Sequence, residues 1–267
     1  MTRGVVIFAF NNEHIDYLAL AEWSTRNIHR HLQLPVCVIT DQTRIPKTYT
    51  FDQVVQATPT DTHWRHFRDF GANGTWYNGG RVDAYALSPW DHTLVLDADY
   101  VVASDQLNQL FELDQDFLDH ACAIEVTGVN SFDDNNRFGR HKMPMRWATV
   151  MLFRRSHNAE LIFSAMQMVK QHWRHYLDLY GISKKTYRND IALSIAQLIV
   201  HGHQLQIPSI PWNLVSVEAE HALTQLDTDL YRVDFVTADH KPRWLTLDHD
   251  FHAMGKKYLG DIVAHTL

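Results

Sequence analysis

One apolar strand running straight into two acids holds the chemistry most plainly: Thr93-Leu94-Val95-Leu96-Asp97-Ala98-Asp99, followed by Tyr100-Val101-Val102. Residues two apart in extended chain project from the same face, so Asp97 and Asp99 together suit an octahedral divalent cation that also holds phosphate oxygens. An Asp-x-Asp pair alone also caps strands and opens turns. Its meaning therefore rests on the elements around it and on what else reaches the same place.

Those elements read as α/β. Gly4 to Phe10 is a continuous apolar run, a buried parallel strand. Asn11-Asn12-Glu13 opens a helix to about His31, with Asn11 or Asn12 as its cap. Pro35 to Thr40 is a second buried strand ending at Asp41, and Gln53 to Gln56 a third. Strand, helix and strand at this spacing make a βαβ unit. Ligands of such sheets bind beyond the carboxyl ends of the strands, which puts Phe10, Asn11, Asp41 and Asp97 at one edge. Asp61 to Gly80 reads as a loop over that edge, Arg81 to Leu87 as a short helix stopped by Ser88-Pro89, and Ser104 to Leu118 as mostly helical. Ala121 to Val126 and Trp147 to Phe153 read as strands, with an exposed loop from Asn130 to Met145 between them. Ser156 caps a long helix to about Tyr180, closed by Gly181. Another helix begins at Asn189 or Asp190 and ends near Gly202, and a strand near Trp244 to Leu247 leads into Asp248-His249-Asp250-Phe251-His252.

Composition narrows the classes. The 267 residues fit one large domain, 1–267. Net charge is −7 from 24 basic and 31 acidic residues, so no global basic field points to nucleic acid. Two local basic stretches remain, Arg137-Arg140-His141-Lys142-Arg146 and Lys184-Lys185-Arg188. Cys37 and Cys122 both sit in apolar runs and read as small hydrophobes in a reducing compartment rather than as a disulfide. No stretch reaches membrane-spanning length, and the expected location is cytoplasmic. His172 and His175 fall one helical turn apart without a third ligand beside them.

From Arg81 to Asp99 the chain reads Arg-Val-Asp-Ala-Tyr-Ala-Leu-Ser-Pro-Trp-Asp-His-Thr-Leu-Val-Leu-Asp-Ala-Asp. This resembles the core signature of nucleotide-sugar glycosyltransferases of the GT-A fold, especially the glycogenin-like family eight, in which a basic residue opens a short helix before an apolar strand ends in Asp-Ala-Asp. A second island, His252-Ala253-Met254-Gly255-Lys256-Lys257, is similar to the family's His-x-x-Gly-x-x-Lys-Pro-Trp ending. The Pro-Trp is missing here and Lys257 falls one residue early, which leaves the choice between Lys256 and Lys257 open. A third, Arg188-Asn189-Asp190-Ile191-Ala192-Leu193, is similar to the family's Asp-Gln-Asp-x-Leu-Asn box. The family's Asn-x-Gly strand motif is replaced near Trp147-Ala148-Thr149.

The resemblance implies a Rossmann-like nucleotide-binding sheet with flanking helices and a C-terminal acceptor-side lobe, with a nucleotide-binding half over 1–103 and an acceptor-side half over 104–267. It implies Mn²⁺ or Mg²⁺ on Asp97, Asp99 and His252, with Arg81 and one of Lys256 or Lys257 on the diphosphate. Asp190 would stand at the reacting carbon of the sugar, and Phe10, Asn11 and Asp41, by their places at strand ends rather than by the resemblance, would contact base and ribose. The activity implied is transfer from a nucleotide-sugar donor, a UDP-sugar above others, to a hydroxyl of unknown origin with retention of configuration. A glycan, a lipid head group, a protein hydroxyl and a hydroxylated DNA base all stand as acceptors, and a silent nucleotide-sugar-binding protein stands as the non-enzymatic alternative. The sugar nucleotidyltransferases share the architecture but open on a glycine-rich loop, where this chain has Phe10-Asn11-Asn12-Glu13.

Overall fold

A computed structural model describes residues 1–59, 63–77, 79–128, 136–183, 186–204 and 206–267. The first half runs β1 (Arg3–Phe8), α1 (Tyr17–His31), β2 (Val36–Thr40), β3 (Gln53–Gln56), β4 (His63–Phe67) and β5 (Ala72–Trp76). A 3₁₀ turn (Gly79–Asp83) and α2 (Ala84–Leu87) lead into β6 (His92–Leu96) and β7 (Tyr100–Val101). After a second 3₁₀ segment (Gln106–Glu112) come β8 (Phe117–His120), β9 (Ala123–Glu125), β10 (Arg137–Phe138), β11 (Met143–Pro144) and β12 (Trp147–Arg154). Three helices follow, α3 (His157–Gln171), α4 (Trp173–Tyr180) and α5 (Asn189–Val200). The last part holds β13 (Leu214–Val217), β14 (Ala222–Asp227), β15 (Leu230–Val236), β16 (Pro242–Leu247), β17 (Phe251–Ala253) and α6 (Lys256–Thr266).

The apolar runs become the principal sheet, ordered β3-β2-β1-β6-β12-β8. Its first four strands are parallel and β12 is antiparallel to both neighbours. Strands buried on both faces need covering layers on both. Val5, Ile7, Leu94 and Leu96 pack with apolar side chains of α1 and α6, while Val95, Met151 and Phe153 pack with those of α3 and α5. The α/β class is thus as expected. From β1 the chain builds outward to β3, then returns to start the other side with β6, so the carboxyl ends of β1 and β6 flank the switch point where such sheets form a crevice.

Two smaller sheets and two hairpins complete the chain. β17 lies between β7, antiparallel, and β13, parallel, with β9 beyond. β14, β15 and β16 form an antiparallel meander, and β4–β5 and β10–β11 are hairpins.

Several boundaries differ from the sequence expectation. Helix α1 starts at Tyr17 because Asp16 caps it, accepting from the Ala19 amide at 3.0 Å. Asn12 instead accepts from the amides of His14 and Ile15, holding the turn before the helix. The expected loop over 61–80 contains β4 and β5, and Glu13 grips the Thr75 amide (2.8 Å) and hydroxyl (2.6 Å) of that hairpin. Phe117 and Leu118, read as helix, begin β8. Ser156 does cap a helix, but the helix breaks at His172 into α3 and α4. The expected loop of 130–145 includes β10 and β11, its first residues lying outside the described ones. Neither cysteine is in a disulfide; Cys37 is buried and Cys122 half-buried. Among the described residues no helix is long and apolar enough to cross a membrane.

Candidate active site

Strand register assembles the site. Asp97 and Asp99 leave the carboxyl end of β6, and the Asp97 amide donates to Thr149 O of the antiparallel β12 at 3.0 Å. The start of β12 therefore lies beside the acids. His252 arrives from far along the chain because it pairs with Tyr100 across β7 and β17, and the Ala253 amide donates to Asp99 O at 2.9 Å. Asp97, Asp99 and His252 each place one ligand atom within 4.8 Å of the others. Two carboxylate oxygens and one imidazole nitrogen suit a divalent ion of manganese type, with coordination positions left for other oxygens.

Cations close around the acids. The Arg81 guanidinium contacts Asp97 Oδ1 and also donates to Ala148 O at 3.2 Å. Lys256 Nζ contacts Asp99 Oδ2, which also lies 3.3 Å from His252 Nε2. Burial works to raise the Asp99 carboxyl, but the charges of Lys256 and His252 and their hydrogen bonds outweigh it and hold the group well below the usual carboxylate range. Removal from water lowers the Arg81 guanidinium while Asp190 and Asp99 push it back up; an arginine stays charged at neutral pH under such shifts. Asp190, in the first turn of α5, accepts from the Ala148 amide at 3.0 Å through Oδ1 and from Arg188 at 3.1 Å through Oδ2.

These groups line a cavity of about 1060 Å³ beyond the sheet edge. At its β1 side stand Phe8, Phe10, Tyr17 and Tyr77, with the Phe10 and Tyr77 rings 6.3 Å apart edge to face. The expected residues divide accordingly. Phe10, Arg81, Asp97, Asp99, Asp190, His252 and Lys256 all line the cavity. Asn11, Asp41 and Lys257 do not. Asn11 accepts from the Leu18 amide and donates to Asp16, a helix-start role, and Asp41 accepts from the Gln42 side chain. Lys257 is exposed at the start of α6, its amide donating to Asp69. Of the two lysines, Lys256 is the one turned onto Asp99.

Two lining residues had no signal in the sequence. Tyr17 reaches the cavity because α1 begins late, and burial together with the Asp99 charge raises its phenol, keeping the hydroxyl protonated. Arg65 comes from β4, its guanidinium over the Trp76 ring at 5.0 Å and the Phe67 ring at 5.8 Å. A hairpin built from His63-Trp64-Arg65-His66-Phe67 carries no clean alternation to reveal which side chains point inward.

No protein-family model and no curated protein matches the chain. Among solved structures it is similar to the glycosyltransferase GlyE of Streptococcus pneumoniae TIGR4, with 15% identity and TM-score 0.44 over 79% of this chain and 45% of that one. It is similar to an active-site mutant of LgtC, with 13% identity and TM-score 0.46 over 72% of this chain and 69% of that one. It is also similar to the bifunctional glycosyltransferase WbbM, with 14% identity and TM-score 0.46 over 82% of this chain and 40% of that one. The chain thus spans less than half the length of GlyE and of WbbM.

Proposed function

We propose that this chain is a glycosyltransferase that takes a sugar from a nucleotide diphosphate donor, a UDP-sugar above others, and passes it to an acceptor hydroxyl with retention of configuration. The observation that carries the reading is the pairing of a three-ligand acid–imidazole cluster with Arg81 and Lys256 at the mouth of the β1–β6 crevice, and Asp190 across the same cavity. A divalent cation on Asp97, Asp99 and His252 would neutralise the charge that gathers on the departing diphosphate.

The chain's own groups do the rest. Phe8, Phe10 and Tyr77 offer aromatic surface for the base. Arg81 and Lys256 can turn from their carboxylates to the diphosphate, where charge-assisted hydrogen bonds strengthen as the bond to the sugar breaks. Arg65 brings one further guanidinium to the same space. Asp190, held by Ala148 and Arg188, faces the positive charge that grows on the anomeric carbon. The anomeric carbon–oxygen bond breaks with its electron pair staying on the diphosphate. The acceptor oxygen bonds to that carbon on the same face, and its proton passes to the released phosphate oxygen.

The test is release of free nucleotide from UDP-, GDP- and ADP-sugars with Mn²⁺ or with EDTA, with Asp99→Ala alongside. Metal-dependent release from one donor, lost in Asp99→Ala, is the expected result. No release from any donor, together with no Mn²⁺-dependent binding of UDP, would sink the reading.

A further inference from the structure

One strand edge of the cavity carries polar groups that no other part of the chain answers. Ser216 of β13 pairs with His252 of β17 in a parallel ladder, so the two side chains leave the same face of that sheet on strands about 4.8 Å apart. The Met254 amide donates to Val217 O at 2.9 Å, which carries the pairing past the end of β13. The two strands alternate strictly here: Ser216, Glu218, His252 and Met254 line the cavity, whereas Val217 and Ala253 between them are buried in the core. The edge bearing Ser216 and Glu218 therefore adjoins the acid–imidazole cluster, one strand further out.

Among the described residues, every other acid lining the cavity is already held. Arg81 holds Asp97, Lys256 and His252 hold Asp99, Ala148 and Arg188 hold Asp190, the Lys257 amide reaches Asp69, and Arg68 faces Glu220. Glu218 is half-buried and its carboxylate has neither a hydrogen bond nor an ion pair among the described residues. Burial raises that carboxyl, and the charges of Glu220 and Glu125 add to the effect, so a hydrogen-bond donor reaching it relieves a standing cost. Ser216 is 2% exposed, and its hydroxyl likewise has no partner among the described residues. Thr149 is another deeply buried lining hydroxyl without one, but the acid beside it, Asp97, is taken by Arg81. Only at Ser216 does a hydroxyl that can donate stand two residues from a carboxylate that, ionised, can only accept. Such a pair suits the hydroxyl groups of a ligand. It does not suit a diphosphate, which the charges of Glu218 and Glu220 oppose and for which Arg81 and Lys256 already stand nearby.

We infer that Ser216 and Glu218 seat the acceptor through hydroxyls it does not react with, and that this part of the acceptor is an uncharged sugar or polyol. This rests on the glycosyltransferase reading. An unpaired carboxylate works in both directions, attracting hydroxyl donors and excluding an anionic competitor. The probes are the methyl α- and β-glycosides of glucose and galactose, added to the protein saturated with UDP and Mn²⁺ and followed by saturation-transfer difference NMR. The expected result is binding of at least one glycoside. Losing a neutral hydrogen bond in Ser216→Ala should weaken it about threefold, and losing one to a charged group in Glu218→Ala roughly tenfold or more. Glu218→Gln keeps the size and one acceptor oxygen but not the charge. It should retain most of the glycoside binding, while the 6-phosphate of the same sugar, disfavoured by the native protein, gains on its neutral parent. That shift in charge preference is a readout that a merely structural role would not move. No binding of any glycoside, or binding indifferent to both alanine substitutions, overturns the inference. So does a variant that keeps its melting temperature but loses UDP, because the pair would then serve the donor. If the wild type itself fails to bind UDP with Mn²⁺, it is the glycosyltransferase reading that has failed, and this inference falls with it.

Discussion

Replacing Lys256 should push metal and nucleotide affinity in opposite directions. Lys256 is buried and its ammonium sits on Asp99 Oδ2, the oxygen that also faces His252 Nε2. A divalent ion entering among Asp97, Asp99 and His252 must take that oxygen from the lysine. A hydrogen bond to a charged group is worth about 1.5–3 kcal/mol, and each 1.4 kcal/mol is about a factor of ten. Removing Lys256 should therefore tighten Mn²⁺ binding to the nucleotide-free protein by roughly 10- to 100-fold. On the proposed function the lysine passes to the diphosphate once that is present, so the same variant should bind UDP at saturating Mn²⁺ more weakly by a similar factor. Lys256→Met is the better variant than Lys256→Ala because it keeps the apolar stem that packs at the start of α6. Free Mn²⁺ followed by electron paramagnetic resonance, with and without UDP, reads both constants. Metal binding that is unchanged or weakened in Lys256→Met would refute the idea that the lysine stands in for the ion.

Burial pushes the His120 imidazole from its ordinary 6.5 down to about 4, so the unfolded chain takes up a proton there that the folded one refuses. The stabilisation is complete above 6.5 and is lost as pH falls toward 4; by pH 5 about 2 kcal/mol has gone. Urea unfolding of His120→Gln should show that much less dependence between pH 7.5 and 5, and an unchanged dependence would contradict it. Asp250 Oδ1 accepts from the Ala103 amide and the Ser104 hydroxyl, both at 2.9 Å, tying the entry of β17 to the segment after β7. Asp250→Ala strands that amide and should cost about 1–3 kcal/mol, while Asp250→Asn keeps the acceptor and should cost far less; equal losses would mean the hydrogen bonds are not what holds β17.

What could be read from sequence and what could not follow from how far each signal reaches. Asp97 and Asp99 were legible because an apolar strand ending in acids is a local pattern, and the sheet's strands were legible because burial on both faces leaves unbroken apolar runs. His252, Arg81 and Asp190 came through resemblance, since nothing local says that residue 252 pairs beside residue 99. The choice between Lys256 and Lys257 is a question of phase. Their burial differs because of where α6 starts after Gly255, which aims residue 256 inward and residue 257 to solvent. Asn11 and Asp41 lie off the cavity lining: a polar residue after a strand serves a turn as readily as a ligand, and both here satisfy their neighbours. β4, β13 and β17 are short strands whose partners lie far along the chain or whose residues mix aromatic and polar types, so neither periodicity nor composition marks them.

The backbone of Ala148 holds two charged side chains of the cavity where the chain departs from the Asn-x-Gly pattern of the glycosyltransferases it resembles. Between Trp147 and Met151 the register of β12 against β8 slips, and the ladder with β6 begins only at Val150. The N–H and C=O of Ala148 are thus outside both ladders although the residue is fully buried, and buried backbone groups need partners. Its N–H goes to Asp190 and its C=O to Arg81. The two backbone groups of this one residue therefore fix both the Asp190 carboxylate and the Arg81 guanidinium, and Arg81 in turn reaches Asp97. Because both contacts run through backbone atoms, the side chains at 147–149 are free to differ from Asn-x-Gly without loosening the geometry. What those side chains can still change is the shape of the cavity, which Trp147 and Thr149 line on either side of the bulge.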